Sequence, residues 1–529
     1  MIELTLQIIA VLVCTTLLSI ATRKTLGVMQ QSGYKNGAFW KWLFKKGNMF
    51  FNRLCVFAYS IAMSVCVAAL CFSFLGVRVA RLISAVPFFT FVIAFLFADR
   101  KYALKVPEKR TGRLIRLEWV YMLCTAVFFA GAIVLLGFLS KVNGSRIYAL
   151  IAYVPFALAI VCLPLILMLA NAITSPFENA RNRKFVKRAG QVLDQTQVIR
   201  VGVVGSYGKT SVKNIVKTLL AEKYSVIETP ASFNTPVGIA KTVFSPDFAE
   251  KQVFIAEMGA RKQGDIKELC ELVKPNYAVF TGVCRQHLET FGSIENVLAE
   301  KSEIIKSGAV TVCAESLQDS VNQSENVRFV NTAWIENIRL LATETRFTLV
   351  LGENRMDVCT SLLGMAAVEN ILLAVTLAVE MGLTFEEIQN GLSKLQPVGS
   401  RLRLMENGGV YILDDGYNTN EKGAKEAIAA LGRFDGRKCI VTPGIVECGV
   451  LEAELNGKLG ETIAKANLDK VILVGETLIG AVKNGYLQAG GNADALTVVK
   501  SLEKAQAELQ GWLGQGDAVL FLNDLPDVY

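Results

Sequence analysis

Val201-Gly-Val-Val-Gly-Ser-Tyr-Gly-Lys-Thr-Ser211 reads as the end of a strand, a glycine-rich turn and the start of a helix. The β-branched run Val198–Val204 has the composition of a buried strand, and helix-forming sequence continues to about Leu220. Such a turn aims backbone N–H groups and a helix N-terminus at phosphate oxygens. Gly205, Ser206, Gly208, Lys209, Thr210 and Ser211 are therefore candidate phosphate ligands. The lysine suits terminal phosphates, and the threonine hydroxyl suits Mg²⁺. The spacing departs from G-x-x-x-x-G-K-[ST], so this stretch alone also fits a plain strand–turn–helix junction that holds a lysine.

Around it lie 529 residues, a length that suggests about three domains. The chain is 52% hydrophobic with a mean hydropathy of +0.39, and the excess is concentrated at one end. Residues 1–190 carry 23 Lys and Arg against 5 Asp and Glu. The whole chain is +8, so the first third is +18 and the remainder −10. Basic charge confined to the apolar third argues against a nucleic-acid footprint and for membrane topology.

Five apolar spans of bilayer length can be read, at 3–21, 54–75, 82–98, 117–139 and 147–172. The first lacks a small-residue cleavage site and reads as a retained helix. The segments 23–53, 99–116 and 173–190 hold seven, seven and five basic residues, whereas 76–81 and 140–146 hold two each. That alternation places the N-terminus outside and the P-loop part in the cytosol. Phe39-Trp-Lys-Trp-Leu-Phe-Lys-Lys46 suits a helix lying in the membrane interface, or a solvated basic loop. No acidic residue or histidine lies deep in a span, which weighs against an ion-coupled transporter. The twelve cysteines show no C-x-x-C pairs and read as reduced, small hydrophobic residues.

The expected architecture is an α-helical membrane region followed by α/β. Residues 1–172 form the five-span region and 173–197 a basic linker. A P-loop, mainly parallel-sheet central domain covers 198–396, and a smaller Rossmann-like domain covers 397–529. Strand-like runs at Ser225–Glu228, Gln252–Ala256, Tyr277–Thr281 and Val310–Val312, then Val410–Leu413, Lys438–Thr442, Lys470–Val474 and Ala518–Leu522, alternate with helical segments as such sheets require.

Polar blocks follow these strands: Ser232-Phe-Asn-Thr-Pro-Val-Gly238, Glu257-Met-Gly-Ala260, His287-Leu-Glu-Thr-Phe-Gly-Ser293 and Glu300-Lys-Ser-Glu-Ile304. His287 is the chain's single histidine. In this order, after the P-loop, the blocks resemble the Mur ligase family, whose shorter loop matches the one here. Within it they are most similar to the branch that adds D-alanyl-D-alanine to a muramyl tripeptide. The resemblance continues through Gly399-Ser-Arg401, Leu413-Asp-Asp-Gly-Tyr-Asn418, Pro443-Gly-Ile-Val-Glu-Cys-Gly449 and Gly516-Asp-Ala-Val-Leu520, and spans about residues 198–529.

The resemblance implies ATP-dependent amide formation through an acyl phosphate, chemistry that needs positioning and charge neutralisation. Lys209 would hold phosphate, and Thr210 with Glu257 one Mg²⁺. His287 would bind a second metal together with Lys301, which matches a lysine carbamylated in most of the family. Asn234 would lie near metal and phosphates. Asn370 would contact adenine, Arg401 a phosphate, and Asp415 the ribose or a hinge. Taken singly, His287 also reads as a core residue, Glu257 as a helix cap and Lys301 as an exposed helix lysine. Arg403 competes with Arg401, Asp414 competes with Asp415, and Asn418 also suits a turn.

The chain departs from the family pattern at Ala366-Ala367, Glu421 and Leu522-Asn-Asp524, and membrane spans replace the UDP-sugar-binding domain. The expectation is thus a membrane-anchored ligase joining the carboxylate of a cell-envelope or lipid-linked precursor to an amino-acid or dipeptide amine. The enzymatic alternative is the D-alanyl-D-alanine-adding reaction of peptidoglycan synthesis on a UDP-linked precursor. A membrane ATP-driven transporter, disfavoured by the missing L-S-G-G-Q-like signature, and a silent scaffold are the readings from other classes.

Overall fold

The computed structural model describes residues 15–16, 23–44, 108–142, 159–285, 288–417, 419–446, 451–475 and 478–523. It divides into two compact units, residues 1–182 with 525–529, and residues 183–524.

In the larger unit, strands β1 (Ile199–Val204), β2 (Val226–Glu228), β3 (Val253–Glu257), β4 (Tyr277–Phe280), β5 (Val310–Cys313) and β6 (Val327–Phe329) form a parallel sheet. Their order is β2-β3-β1-β4-β5-β6. Because side chains alternate across a strand, both faces are buried. Phe254, Ala256, Ala278 and Phe280 enter a core with helices 236–243, 265–273 and 294–301. Val201, Val203, Val253, Ile255 and Val279 enter another with helices 209–220, 365–380 and 385–393. Gly202 faces the first of these, where an added Cβ would lie 3.1 Å from Met258 Cε.

Three further strands, β7 (Ile335–Leu340), β8 (Thr345–Leu351) and β9 (Asn354–Thr360), make an antiparallel sheet that the sequence reading did not pick out. Phe347, Leu349, Met356 and Val358 join the second core.

The C-terminal part has β10 (Arg403–Asn407), β11 (Val410–Asp415), β12 (Lys438–Thr442), β13 (Lys470–Val474), β14 (Leu496–Val499) and β15 (Ala518–Leu522), ordered β10-β11-β15-β12-β13-β14. Only β10 is antiparallel to its neighbour. Ile440, Val471, Leu473 and Leu520 point to one core, while Cys439, Val441, Ile472 and Val519 point to the other.

The expected linker segment at 173–197 is helical for nearly all its length: one helix, Ala159–Gln195, runs through it and accommodates Pro164 and Pro176. Basic composition masked a helical period there. Phe185, Val186, Ala189, Val192 and Leu193 recur at helical spacing and pack on the central core.

In the smaller unit, spans 54–75 and 82–98 and nearly all of 3–21 lie outside the described residues. Residues 117–139 fall within helix Gly112–Val142, and 159–172 within helix Ala159–Gln195. Among the described residues one helical segment, Gly112–Gly131, is long and apolar enough to cross a membrane. Trp119, Leu123 and Val127 on it are exposed, as are Leu165, Leu169, Ile173 and Phe177. Arg116 Nε and Nη2 donate to the Glu178 carboxylate at 2.5 and 2.9 Å, and buried Asn171 donates to Tyr34 O and Asn36 Oδ1 at 3.0 and 2.8 Å. Helix Asn36–Leu43 buries Phe39 and Trp42 and exposes Trp40; Lys45 and Lys46 lie outside the described residues.

Candidate active site

The chain reverses direction across the central sheet at β1, which lies between β3 and β4. In open α/β sheets ligands bind beyond the C-terminal strand ends at such a point. The glycine-rich turn leaves β1 here, Glu257 ends β3, and residues 281–285 follow β4.

The turn needs its glycines. Gly208, with φ +72°, is the N-cap of helix Lys209–Leu220, and a Cβ on it would lie 2.7 Å from Asn370 Oδ1. A Cβ on Gly205 would lie 1.9 Å from Thr281 Oγ1. Across the turn, Ser206 N donates to Gly282 O at 2.8 Å, and Thr281 Oγ1 donates to Tyr207 O. Lys209 Nζ donates to Gly205 O at 2.8 Å. Burial pushes its pKa below the usual lysine value, against the raising influence of Glu257. Ser211 is half-buried in the helix's first turn.

Thr210 Oγ1 donates to Glu257 Oε2 at 2.9 Å, and both residues are buried. Asn234 Nδ2 lies 3.4 Å from Glu257 Oε1. Gly259 lets that amide approach, since a Cβ there would be 2.7 Å from Asn234 Cγ. The carboxylate meets the side chains of Thr210 and Asn234, and Gly208 holds the N-cap position with no side-chain cap bond, so Glu257 is not the cap of this helix. A hydroxyl, a carboxylate and an amide so grouped are hard oxygen donors that fit Mg²⁺, which takes one or two carboxylates and otherwise keeps waters and phosphates. No cluster of three His, Cys, Asp or Glu able to hold a metal occurs among the described residues. His287 is not among them, so the second-metal expectation resting on it falls outside the description.

Lys301 is only 2% exposed, which corrects the exposed-lysine alternative. Burial, then the charge of Lys209, bring its pKa down to about 7. Its neighbour Glu300 explains its placement. The Glu300 carboxylate accepts the N–H groups of Gly264 and Ile266, each at 2.7 Å, at the N-terminus of helix Asp265–Val273. Anchoring there pins helix Ile294–Lys301. Cys284, held near both lysines, has its thiol pushed up to about 11 by burial.

The C-terminal part reaches in through Arg401. Its Nη2 donates to Thr210 Oγ1 at 3.1 Å, and its guanidinium lies 4.6 Å from the Tyr417 ring centroid. Tyr417 Oη and Ser232 Oγ share a hydrogen bond of 2.6 Å. Arg403 opens β10 with an exposed side chain, so Arg401 is the arginine at the site. Asp415 is engaged by its own domain. Its carboxylate accepts Leu402 N at 3.1 Å and Thr419 Oγ1 at 2.9 Å, and burial raises it to about 7. Asp414 accepts Gly416 N at 3.0 Å; Asn418 lies outside the described residues. Asn523, one of the departing residues, donates to Gly444 O at 2.7 Å and braces the Pro443 loop.

Sequence reasoning missed Lys213, which sits wholly buried 3.4 Å from Glu257 Oε2. The signal was available: Lys213 lies four residues after Lys209, among the buried Val212, Ile215 and Val216. Glu300 was quoted as part of a block but given no role.

Compared with known proteins, residues 203–378 match the Mur ligase middle domain and residues 400–523 the Mur ligase glutamate ligase domain. The UDP-N-acetylmuramoyl-tripeptide–D-alanyl-D-alanine ligase of Escherichia coli is 29% identical over 311 residues, 55% of this chain and 68% of the relative. For the Bacillus subtilis ligase of the same name the values are 28% identity over 289 residues, 52% and 62%. The chain thus spans about two thirds of the length of these curated relatives. The structure of MurF ligase from Thermotoga maritima in complex with ADP superimposes with a TM-score of 0.58 at 27% identity, covering 65% of this chain and 80% of that one. MurF from Acinetobacter baumannii gives 0.58 at 22%, covering 65% and 77%. With both domain models matched over more than half its length and this phosphate-binding geometry, the chain belongs to the Mur ligases, ATP-dependent enzymes that form amide bonds and use Mg²⁺.

Proposed function

We propose that this protein activates the terminal carboxylate of a muramyl peptide with ATP and joins it to the amine of D-alanyl-D-alanine. The relatives that share its two catalytic domains carry that activity in their names. The observation that carries the reading is the convergence of Thr210, Glu257, Asn234 and Arg401 at the P-loop. The activity named for those relatives favours the UDP-precursor alternative over a different amine or acid.

In this reading the turn N–H groups and Lys209 bind the triphosphate, and Asn370 flanks the nucleotide beside Gly208. Thr210 and Glu257 would hold Mg²⁺, which supplies neutralisation of phosphate charge when bound. Arg401 brings a second positive charge from the C-terminal domain to the γ-phosphate, where attack by the peptide carboxylate breaks the β–γ bond, releasing ADP and giving an acyl phosphate; attack by the dipeptide amine then forms the amide and releases inorganic phosphate. Tyr417, against the Arg401 guanidinium and bonded to Ser232, steadies the arginine. Lys301, with its pKa near neutrality, is available as the free amine that carbamylation requires. The carbamate would be an anionic oxygen ligand, and His287 is its proposed partner.

Membrane anchoring is a second part of the proposal, and it concerns where the acceptor is met. The supporting features are the apolar segment Gly112–Gly131 with its outward Trp119, Leu123 and Val127, and the basic bias of the first 190 residues. A catalytic part facing the cytosol would then meet precursors at the membrane surface, including lipid-linked ones.

The test uses full-length protein in detergent with ATP, Mg²⁺ and D-alanyl-D-alanine. One arm receives UDP-N-acetylmuramoyl-tripeptide, and the other a polyprenyl-diphosphate-linked muramoyl tripeptide. Phosphate release and product mass are followed. Turnover of the UDP-linked acceptor is expected, and a higher kcat/KM for the lipid-linked one marks a membrane substrate. Dipeptide-independent phosphate release with no product in either arm overturns the reading.

A further inference from the structure

Lys213 takes no part in the phosphate contacts, yet its ammonium sits at the centre of the site's charge balance. It donates to the carbonyls of Thr229 and Ala231 at 2.7 and 2.5 Å. It also stands 3.4 Å from Glu257 Oε2 and 4.0 Å from Glu228 Oε2. Glu257 Oε2 is the oxygen that accepts from Thr210, so Lys213 and any cation taken up by this carboxylate claim the same atom. Like charges at that spacing, away from bulk water, repel strongly. Lys213 cannot retreat into solvent, because its side chain has no exposure.

A second acceptor is waiting on its other side. Glu228 ends β2, with its Oε1 bonded to Lys217 at 3.1 Å. Its Oε2 is buried and, among the described residues, has no hydrogen-bond partner. Buried acceptors are normally satisfied, and the Lys213 ammonium stands 4.0 Å from this one. The two carbonyls that hold the ammonium belong to residues just after Glu228. A shift toward Glu228 Oε2 therefore stays within the stretch of chain that already holds the ammonium.

We infer that Glu228 is the alternate counter-ion of Lys213: when a divalent cation binds Glu257, the Lys213 ammonium shifts its ionic contact from Glu257 Oε2 to Glu228 Oε2. Glu228 is thus a positioning residue for cation loading, outside the set of groups that touch nucleotide or metal. The inference rests on the proposed cation site at Thr210 and Glu257.

The experiment measures Mn²⁺ binding to the full chain in the presence of ADP by electron paramagnetic resonance of free Mn²⁺, with ADP affinity without metal measured separately. Glu228→Gln, a near-isosteric neutralisation, is expected to weaken Mn²⁺ binding roughly tenfold and leave metal-free ADP affinity unchanged. Glu228→Asp, which retains the charge, should recover most of the loss, as a purely steric role would not allow. Lys217→Met removes the partner of Oε1 alone and should leave Mn²⁺ affinity at the wild-type level. Wild-type Mn²⁺ affinity in Glu228→Gln overturns the inference, as does equal weakening in Lys217→Met. Failure of the wild type itself to bind Mn²⁺ with ADP would instead overturn the cation site on which the inference rests.

Discussion

Arg401 Nη2 donates to Thr210 Oγ1 at 3.1 Å across 191 positions of sequence, so a residue at the head of the C-terminal domain touches the hydroxyl at the start of the P-loop helix. Arg401→Ala should lower kcat/KM for ATP-dependent amide formation by at least about 100-fold, the usual consequence of losing a charged group that acts in the transition state. Arg403→Ala should stay within about twofold, since its side chain is exposed on β10. Steady-state kinetics on both variants check the pair, and equal losses would refute the distinction.

Lys209→Ala should abolish acceptor-dependent phosphate release while leaving the protein folded, because its present contacts are to two carbonyls of its own loop. Glu257→Gln should show the same loss with a raised Mg²⁺ requirement. Each is expected to remove about 3 kcal/mol or more of transition-state stabilisation. Near-normal turnover in Lys209→Ala would reject the loop's assignment.

Glu300→Ala should destabilise the protein by about 2–4 kcal/mol, since two buried N–H groups at a helix start lose a charged acceptor. Thermal unfolding measures this. Glu300→Gln, which keeps one oxygen acceptor, should fall between it and wild type.

The Lys301 pKa of about 7 makes stability depend on pH. Between about 7 and the ordinary lysine value of 10.5, the unfolded chain binds a proton that the folded chain does not, so stability rises with pH across that window. In CO₂-free buffer the thermal midpoint of wild type should therefore rise relative to Lys301→Met as pH goes from about 7 to about 9. An unchanged difference would mean the lysine is not held neutral.

If Lys301 acts as a carbamate, Lys301→Ala should lose activity that short-chain carboxylic acids partly restore by supplying an oxygen ligand in the vacated space. Full activity in Lys301→Ala or Lys301→Arg would remove the carbamate from the mechanism.

Much of this site could be read in the linear chain because phosphate-binding chemistry is local. A turn of glycines followed by Lys209 and Thr210 needs only a preceding strand and a following helix, and both are signalled by composition within a few residues. The parallel strands β1 to β5 and most of the C-terminal ones announce themselves for the same reason, since a strand buried on both faces must be continuously apolar. The antiparallel sheet β7–β9 escaped notice because its polar, alternating strands resemble loop sequence. The helical continuation over residues 173–195 escaped because its basic surface hid a sparse apolar stripe.

Tertiary structure alone decided what depends on distance between remote residues. It distinguished Arg401 from Arg403 by which one reaches Thr210, turned Asp415 toward Leu402 and Thr419, and buried Lys301 so that desolvation outweighs its charge. It also placed Lys213 between two carboxylates that lie at the ends of different strands. Electrostatic energy depends on separation and on exclusion of water, and neither is written in residue order; the sequence by itself determined which groups were available, and packing determined which of them meet.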